Sequence, residues 1–205
     1  MDGMVKKRFE NSFYEIELFS VLGTNEAQED VVACQMNSTS AILVLCDGMG
    51  GFKNGRIAAQ TAVDAIVNLV QSVEWNMEPI AFMRRAIEIA DEKVYLLKDS
   101  AGSRLGAGCT VLIALIAGRK VYYANVGDSR IYYYDGNEFI QVSQDHNYGE
   151  MLKSNLASGE ISMSEYEQEL PKAAALTGFL GLGVIKECYI AQEPILLDRG
   201  QVLCM

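Results

Sequence analysis

The sequence predicts an α+β domain in which antiparallel sheets lie under helices, and three observations carry that prediction. Short apolar runs separated by turn residues recur at residues 13–21, 31–35, 41–46, 109–117, 121–126, 131–134 and 139–142, so strand follows strand through short connections. Two long helical patterns, at 56–72 and 79–98, stand together in the middle of these strands instead of alternating with them, which argues against βαβ units. At 205 residues, 50% hydrophobic and 21% charged, the chain suits one globular domain with a substantial core.

Charge and cysteine usage narrow the function classes. Seventeen Lys and Arg stand against 27 Asp and Glu, a net charge of -10, and the longest basic cluster is Lys6, Lys7, Arg8. Nucleic acid and anionic membrane surfaces are therefore poor partners. Most of the excess acid reads as solvated surface, with cation binding as the alternative use. Cys34, Cys46, Cys109, Cys188 and Cys204 are odd in number and lack CxxC spacing; they read as small core residues in a reducing compartment. The N-terminal cations have no apolar run behind them, and no segment reaches the roughly 18 apolar residues of a membrane span. A cytoplasmic location is the expectation.

In order, residues 1–12 are polar and read as frayed. Residues 13–21 and 31–35 form two strands, the second starting directly after Glu29 and Asp30. A third strand, residues 41–46, delivers Asp47. The first helix puts Ala59, Ala62, Val63, Ile66, Leu69 and Val70 on one face, small at its start so that it can lie close to a sheet. The second starts at Pro79, a good first-turn residue, with Ile80, Met83, Ile87, Ala90, Val94 and Leu97 on its apolar side. A glycine-rich link, residues 102–108, leads into a meander whose hairpin turn is Asp135, Gly136, Asn137. Residues 145–175 are polar and helix-leaning, as in a lid or recognition region. Strands at 188–195 and 201–205 close the sequence.

The chemistry centres on AILVLCDGMGGFKNG, residues 41–55. A buried strand ends on Asp47, and Gly48, Gly50 and Gly51 follow, leaving bare backbone that can turn sharply beside whatever the acid holds. A carboxylate and a neighbouring carbonyl can then share a hard cation; the plain alternative is an Asp cap on the next helix. Glu29 and Asp30 also fall at a strand edge, and Asp128 ends a strand of the meander. Oxygen-only clusters of this kind suit Mg²⁺ or Mn²⁺. The single histidine, His146, has no triad partner pattern and reads as a hydrogen-bonded structural residue.

DGMGG at 47–51, GRIAAQ opening the first helix, GCT at 108–110, ANVGDSR at 124–130 and QDH at 144–146 occur in the order and spacing of one family's motifs. GEISMSEYE, LTGFLG and DRGQVLC extend the likeness over nearly the whole chain. The sequence resembles the metal-dependent protein serine/threonine phosphatases of type 2C, the PPM family, in a bacterial-like form. The resemblance implies a single phosphatase domain over 1–205, built as a four-layer αββα sandwich of two antiparallel sheets flanked by helices on both faces. It implies that Asp47 bridges two cations, Mn²⁺ or Mg²⁺, and positions the water that attacks phosphorus. It also implies that the Gly48 carbonyl, Glu29 and Asp30 complete part of this set, and that Asp128 helps to hold a third, looser ion. Phosphorylated proteins are the implied substrates, and a cognate serine/threonine kinase the implied partner.

Two departures qualify that picture. The family's phosphate-gripping arginine has Asn25 in its place, with Arg104 or Lys53 as substitutes, and Met49 stands where some members have a histidine. The family's next acidic motif is expected immediately beyond Cys204, so the domain reads as incomplete at its C-terminal end. The resemblance therefore implies either hydrolysis of phosphoserine and phosphothreonine or, as the alternative, a catalytically impaired pseudophosphatase that acts as a binding and regulatory module.

Overall fold

The computed structural model describes residues 5–11, 13–22, 27–50, 53–73, 75 and 77–205. Its backbone is a mixed α+β arrangement of antiparallel sheets and helices. The first strands, β1 (Val5–Glu10) and β2 (Glu15–Ser20), form a hairpin with Val5 opposite Ser20 and Glu10 opposite Glu15. The expectation of a frayed N-terminus is thus corrected for residues 5–10. The basic run that disguised β1 is matched across the ladder by acids, Lys6 to Glu17 at 3.1 Å and Arg8 to Glu15 at 2.7 Å, and Asn11 Oδ1 accepts the backbone N–H groups of Phe13 and Tyr14 in the turn.

The central sheet is six-stranded. It contains β3 (Val31–Met36), β4 (Ser40–Cys46), β7 (Val111–Ala117) and β8 (Lys120–Val126), with β11 (Tyr189–Ile190) and β12 (Ile195–Leu196) both laid on β8. The long strand expected at 188–195 is therefore two short pieces with a break between them. Alternation decides the faces: Ile42, Val44 and Cys46 of β4 and Val111, Ile113 and Leu115 of β7 turn to one side, Ala41, Ala114 and Ile116 to the other.

Helices α1 (Lys53–Ser72) and α2 (Pro79–Tyr95) cover the first side. Ala58, Ala59 and Ala62 of α1 are wholly buried, and their small side chains let the helix come close to the sheet. Glu78 caps α2 by accepting the N–H groups of Ile80 and Ala81, at 3.1 and 2.7 Å, directly before Pro79. Buried Asp91 on α2 accepts the N–H groups of Gly181 and Leu182, at 2.7 and 3.1 Å, and so ties the returning chain to the helix.

The opposite side carries two separate ribbons. One is β1–β2; the other joins β10 (Phe139–Gln141), β9 (Tyr132–Tyr134) and β13 (Val202–Cys204). Among the described residues no strand pairs across the space between them, a groove of about 1110 Å³ lined by Ile16, Leu18, Leu43, Leu45, Ile116 and Leu203 among others. Cys46 and Cys109 are buried as expected, Cys34 is half-buried, and Cys188 and Cys204 are exposed. The core reading of the cysteines therefore fails for the last two, which lie on the thinly covered C-terminal segments.

Residues 145–175 fold into α3 (Tyr148–Ser158), α4 (Met163–Glu169) and a 3-10 turn, Leu170–Lys172. Asn147 caps α3, Gly159 ends it in the left-handed conformation at φ 78°, and Ser162 with Glu165 forms a capping box on α4. Among the described residues no helix is long and apolar enough to cross a membrane.

Candidate metal centre

Asp47 emerges from β4 between two tethers. Its N–H donates to Thr110 Oγ1 at 3.1 Å, and its carbonyl accepts the Thr110 N–H at 2.9 Å. Beyond it, β5 (Gly48–Met49) pairs with β6 (Gly108–Cys109), Gly48 opposite Cys109. Cys46 below is fully buried while the Asp47 residue is exposed: the backbone is fixed and the carboxylate is offered outward. The glycines serve close approach here. A Cβ on Gly48 would lie 2.2 Å from the Gly55 carbonyl oxygen, and one on Gly55 would lie 2.5 Å from Glu29 Oε1. The first turn of α1 thus sits directly on the acids.

The other acids reach the same end of the sheet through strand register. Val31 pairs with Cys46, which places Glu29 and Asp30, just before β3, beside the end of β4. Arg56 of α1 pins this segment, its Nη1 donating to the carbonyls of Gln28 and Asp30 at 3.2 and 3.1 Å. Val111 pairs with Val126, so the turn carrying Asp128 lies against Thr110, and Ser129 Oγ stands 2.7 Å from Thr110 Oγ1. His146 braces that turn from behind: its Nδ1 accepts the Gly127 N–H at 3.0 Å and its own N–H donates to the Gly127 carbonyl at 3.0 Å. Burial holds the His146 pKa below its usual value, consistent with the neutral ring this bond requires, and the structural reading of His146 stands.

The acids feel one another. Asp47 is pushed up to about 6, first by burial, then by a hydrogen bond with Asp30, and further by the charges of Asp30, Asp128 and Glu29. Glu29 Oε1 is buried and has no hydrogen-bond partner, a costly state that a cation would relieve. The donors are all oxygens, as Mg²⁺ or Mn²⁺ requires. Among the described residues no group of three or more His, Cys, Asp or Glu side chains is arranged to hold a metal ion by itself. An ion at this edge would have to draw on water and backbone oxygens as well.

Sequence reasoning singled out Glu29, Asp30, Asp47, Gly48 and Asp128, and strand register brings the segments that carry them to the same end of the sheet. It assigned no role to Arg56, Thr110 or Ser129, although each lies inside a quoted motif; their work is done by contacts between distant segments. Asn25 lies outside the described residues, as does the side chain of Lys53. Arg104 is engaged elsewhere, its guanidinium 3.5 Å from the centroid of the Tyr95 ring.

Antiparallel sheets under a helix pair, with carboxylates collected where β3, β4 and the β8–β9 turn end, define a class of α+β domain that presents an acidic, oxygen-rich site at one edge of its sheets. Within that class the chain belongs to the protein phosphatase 2C family, whose model matches residues 4–150. Protein phosphatase PhpP of Streptococcus pneumoniae is 29% identical over 178 residues, covering 82% of this chain and 68% of that protein. Serine/threonine phosphatase stp of Listeria welshimeri is 30% identical over 127 residues, 60% of this chain and 49% of that one. Among solved structures, the serine/threonine phosphatase PstP/Ppp of Mycobacterium tuberculosis superimposes with a TM-score of 0.68 at 20% identity, covering 98% of this chain and 75% of that one. A PstP catalytic domain in complex with two manganese ions gives a TM-score of 0.63 at 19% identity, over 98% and 74% of the two chains. At these identities the structures attest the fold alone.

Proposed function

We propose that residues 1–205 act as a protein phosphatase domain that hydrolyses phosphoserine and phosphothreonine in proteins with the help of Mn²⁺ or Mg²⁺. The observation that carries this reading is the buried, partnerless Glu29 Oε1, together with the raised pKa of Asp47, to which Asp30, Asp128 and Glu29 contribute: negative charge gathered in one place. When bound, the divalent ions supply the positive charge that offsets phosphate oxygens and acidifies water. Asp47 and the Gly48 carbonyl would hold these ions at the end of β4, with Glu29 and Asp30 beside them, and Asp128 would help to hold a further, looser one. Relatives named as serine/threonine phosphatases and a neighbour described with two manganese ions support the same assignment. No nucleophilic side chain is required by this reading. Glu29, Asp30 and Asp47 carry three negative charges against the four positive charges of two divalent ions, so turnover is expected to be slow. A cytoplasmic location and a kinase that phosphorylates the same substrates complete the proposal.

The test is hydrolysis of p-nitrophenyl phosphate and a phosphothreonine peptide with Mn²⁺, with Mg²⁺ and with chelator. Turnover that chelator abolishes and Asp47→Asn eliminates is expected. The open acid set favours one second reading, a pseudophosphatase that binds phosphoprotein without cleaving it. Peptide binding without turnover in either metal would select that reading.

A further inference from the structure

The two halves of the acidic site come from segments far apart in sequence, and one side chain joins them. Thr110 is 1% exposed. Its hydroxyl accepts the Asp47 N–H at 3.1 Å and shares a hydrogen bond with Ser129 Oγ at 2.7 Å, one residue after Asp128. Its methyl is pressed on Gly127, where an added Cβ would fall 2.6 Å from Thr110 Cγ2. The left-handed Gly127, at φ 100°, is what lets the turn close on the threonine. A group this buried has no water to replace either partner.

We propose that Thr110 is a positioning residue: its hydroxyl sets where Asp47 stands relative to Asp128, and so sets the affinity of the site for divalent cations. The proposal rests on the metal reading above. A valine keeps the volume and the methyl contact on Gly127 but leaves the Asp47 N–H and the Ser129 hydroxyl without their common partner. A serine keeps the hydroxyl and gives up the methyl. A role in packing alone predicts that serine is the more harmful change; a positioning role predicts that valine is.

Mn²⁺ titrations by calorimetry on wild type, Thr110→Val, Thr110→Ser and Ser129→Ala separate these, with thermal melts of the metal-free proteins alongside. Thr110→Val should weaken Mn²⁺ binding by about tenfold or more, as loss of a partner behind a metal ligand commonly does, and Thr110→Ser should bind nearly as wild type even if it melts lower. Ser129→Ala cuts only the link to the Asp128 turn, at a half-buried position, and should weaken binding by a smaller factor; it carries the test if the valine variant does not fold. Valine binding Mn²⁺ as tightly as wild type, or serine as weakly as valine, overturns the proposal. A wild type that takes up no Mn²⁺ instead overturns the metal reading, and amide exchange then judges the coupling. Exchange at the Asp47 amide should quicken about tenfold in Thr110→Val but not in Thr110→Ser, and an unchanged rate overturns the coupling as well.

Discussion

Replacing Asp47 by asparagine should make the metal-free protein more stable, which is the reverse of what most substitutions do. The folded environment lifts the Asp47 pKa from 3.8 to about 6. A raised carboxylate pKa means that the folded chain binds the proton more tightly than the unfolded chain. The cost of the charged form is therefore absent below the unfolded value and fully present above about pH 6. Roughly two units correspond to at most about 3 kcal/mol, and because the side chain is solvent-accessible, screening reduces this to about 1 kcal/mol. For a chain of this size that is a rise in Tm of about 2–4 °C. The assay is thermal unfolding of wild type and Asp47→Asn in chelator, from about pH 8 down to about pH 4: the advantage of asparagine should be largest at the alkaline end and vanish at the acid end. Saturating Mn²⁺ should reverse the order, since only the wild type gains the full binding free energy. An asparagine variant that melts below wild type at about pH 8 without metal refutes the electrostatic account of the site.

The remaining expectations concern the supports of the site and the open face. His146→Ala removes the acceptor of the buried Gly127 N–H and should cost about 1–3 kcal/mol in a denaturant titration. Its lowered pKa means that the stability contributed by the neutral ring is complete above the unfolded value and lost as pH falls through the folded one, so the wild type, and not the alanine variant, should lose this increment on acidification from about pH 7. Asp91→Ala strands the backbone N–H groups of Gly181 and Leu182 and should destabilise by about 3 kcal/mol, with Asp91→Asn recovering part. Arg56→Ala frees the segment bearing Glu29 and Asp30; calorimetry should show weaker Mn²⁺ binding while Tm moves little, as Arg56 is exposed. The groove between the two ribbons should bind a dye that fluoresces on apolar surface, in native buffer and before any unfolding; no enhancement would mean that the ribbons close on each other in solution.

Local pattern was enough for much of this molecule. The i, i+3, i+4 spacing on residues 56–72 and 79–98 located both helices to within a turn, because an amphipathic helix writes its buried face into the sequence. Apolar runs that begin just after Asp30 and end just before Asp47 and Asp128 marked the acids at strand ends. The N-terminal strand was hidden because its basic side chains find their partners only in the facing strand, a relation that no single segment displays. The same holds for the site. Thr110 and Asp47 are 63 residues apart and Arg56 is 26 residues from the Asp30 carbonyl it holds; antiparallel register, not sequence proximity, makes them neighbours. Sequence alone thus determined which residues could carry oxygen-ligand chemistry and on which elements they sit. Only the tertiary structure decided that Glu29 Oε1 would be buried without a partner, that the Asp47 carboxyl would be pushed up to about 6, and that a threonine would join the two halves of the site. Desolvation and charge repulsion depend on distances that exist only once the sheet is formed.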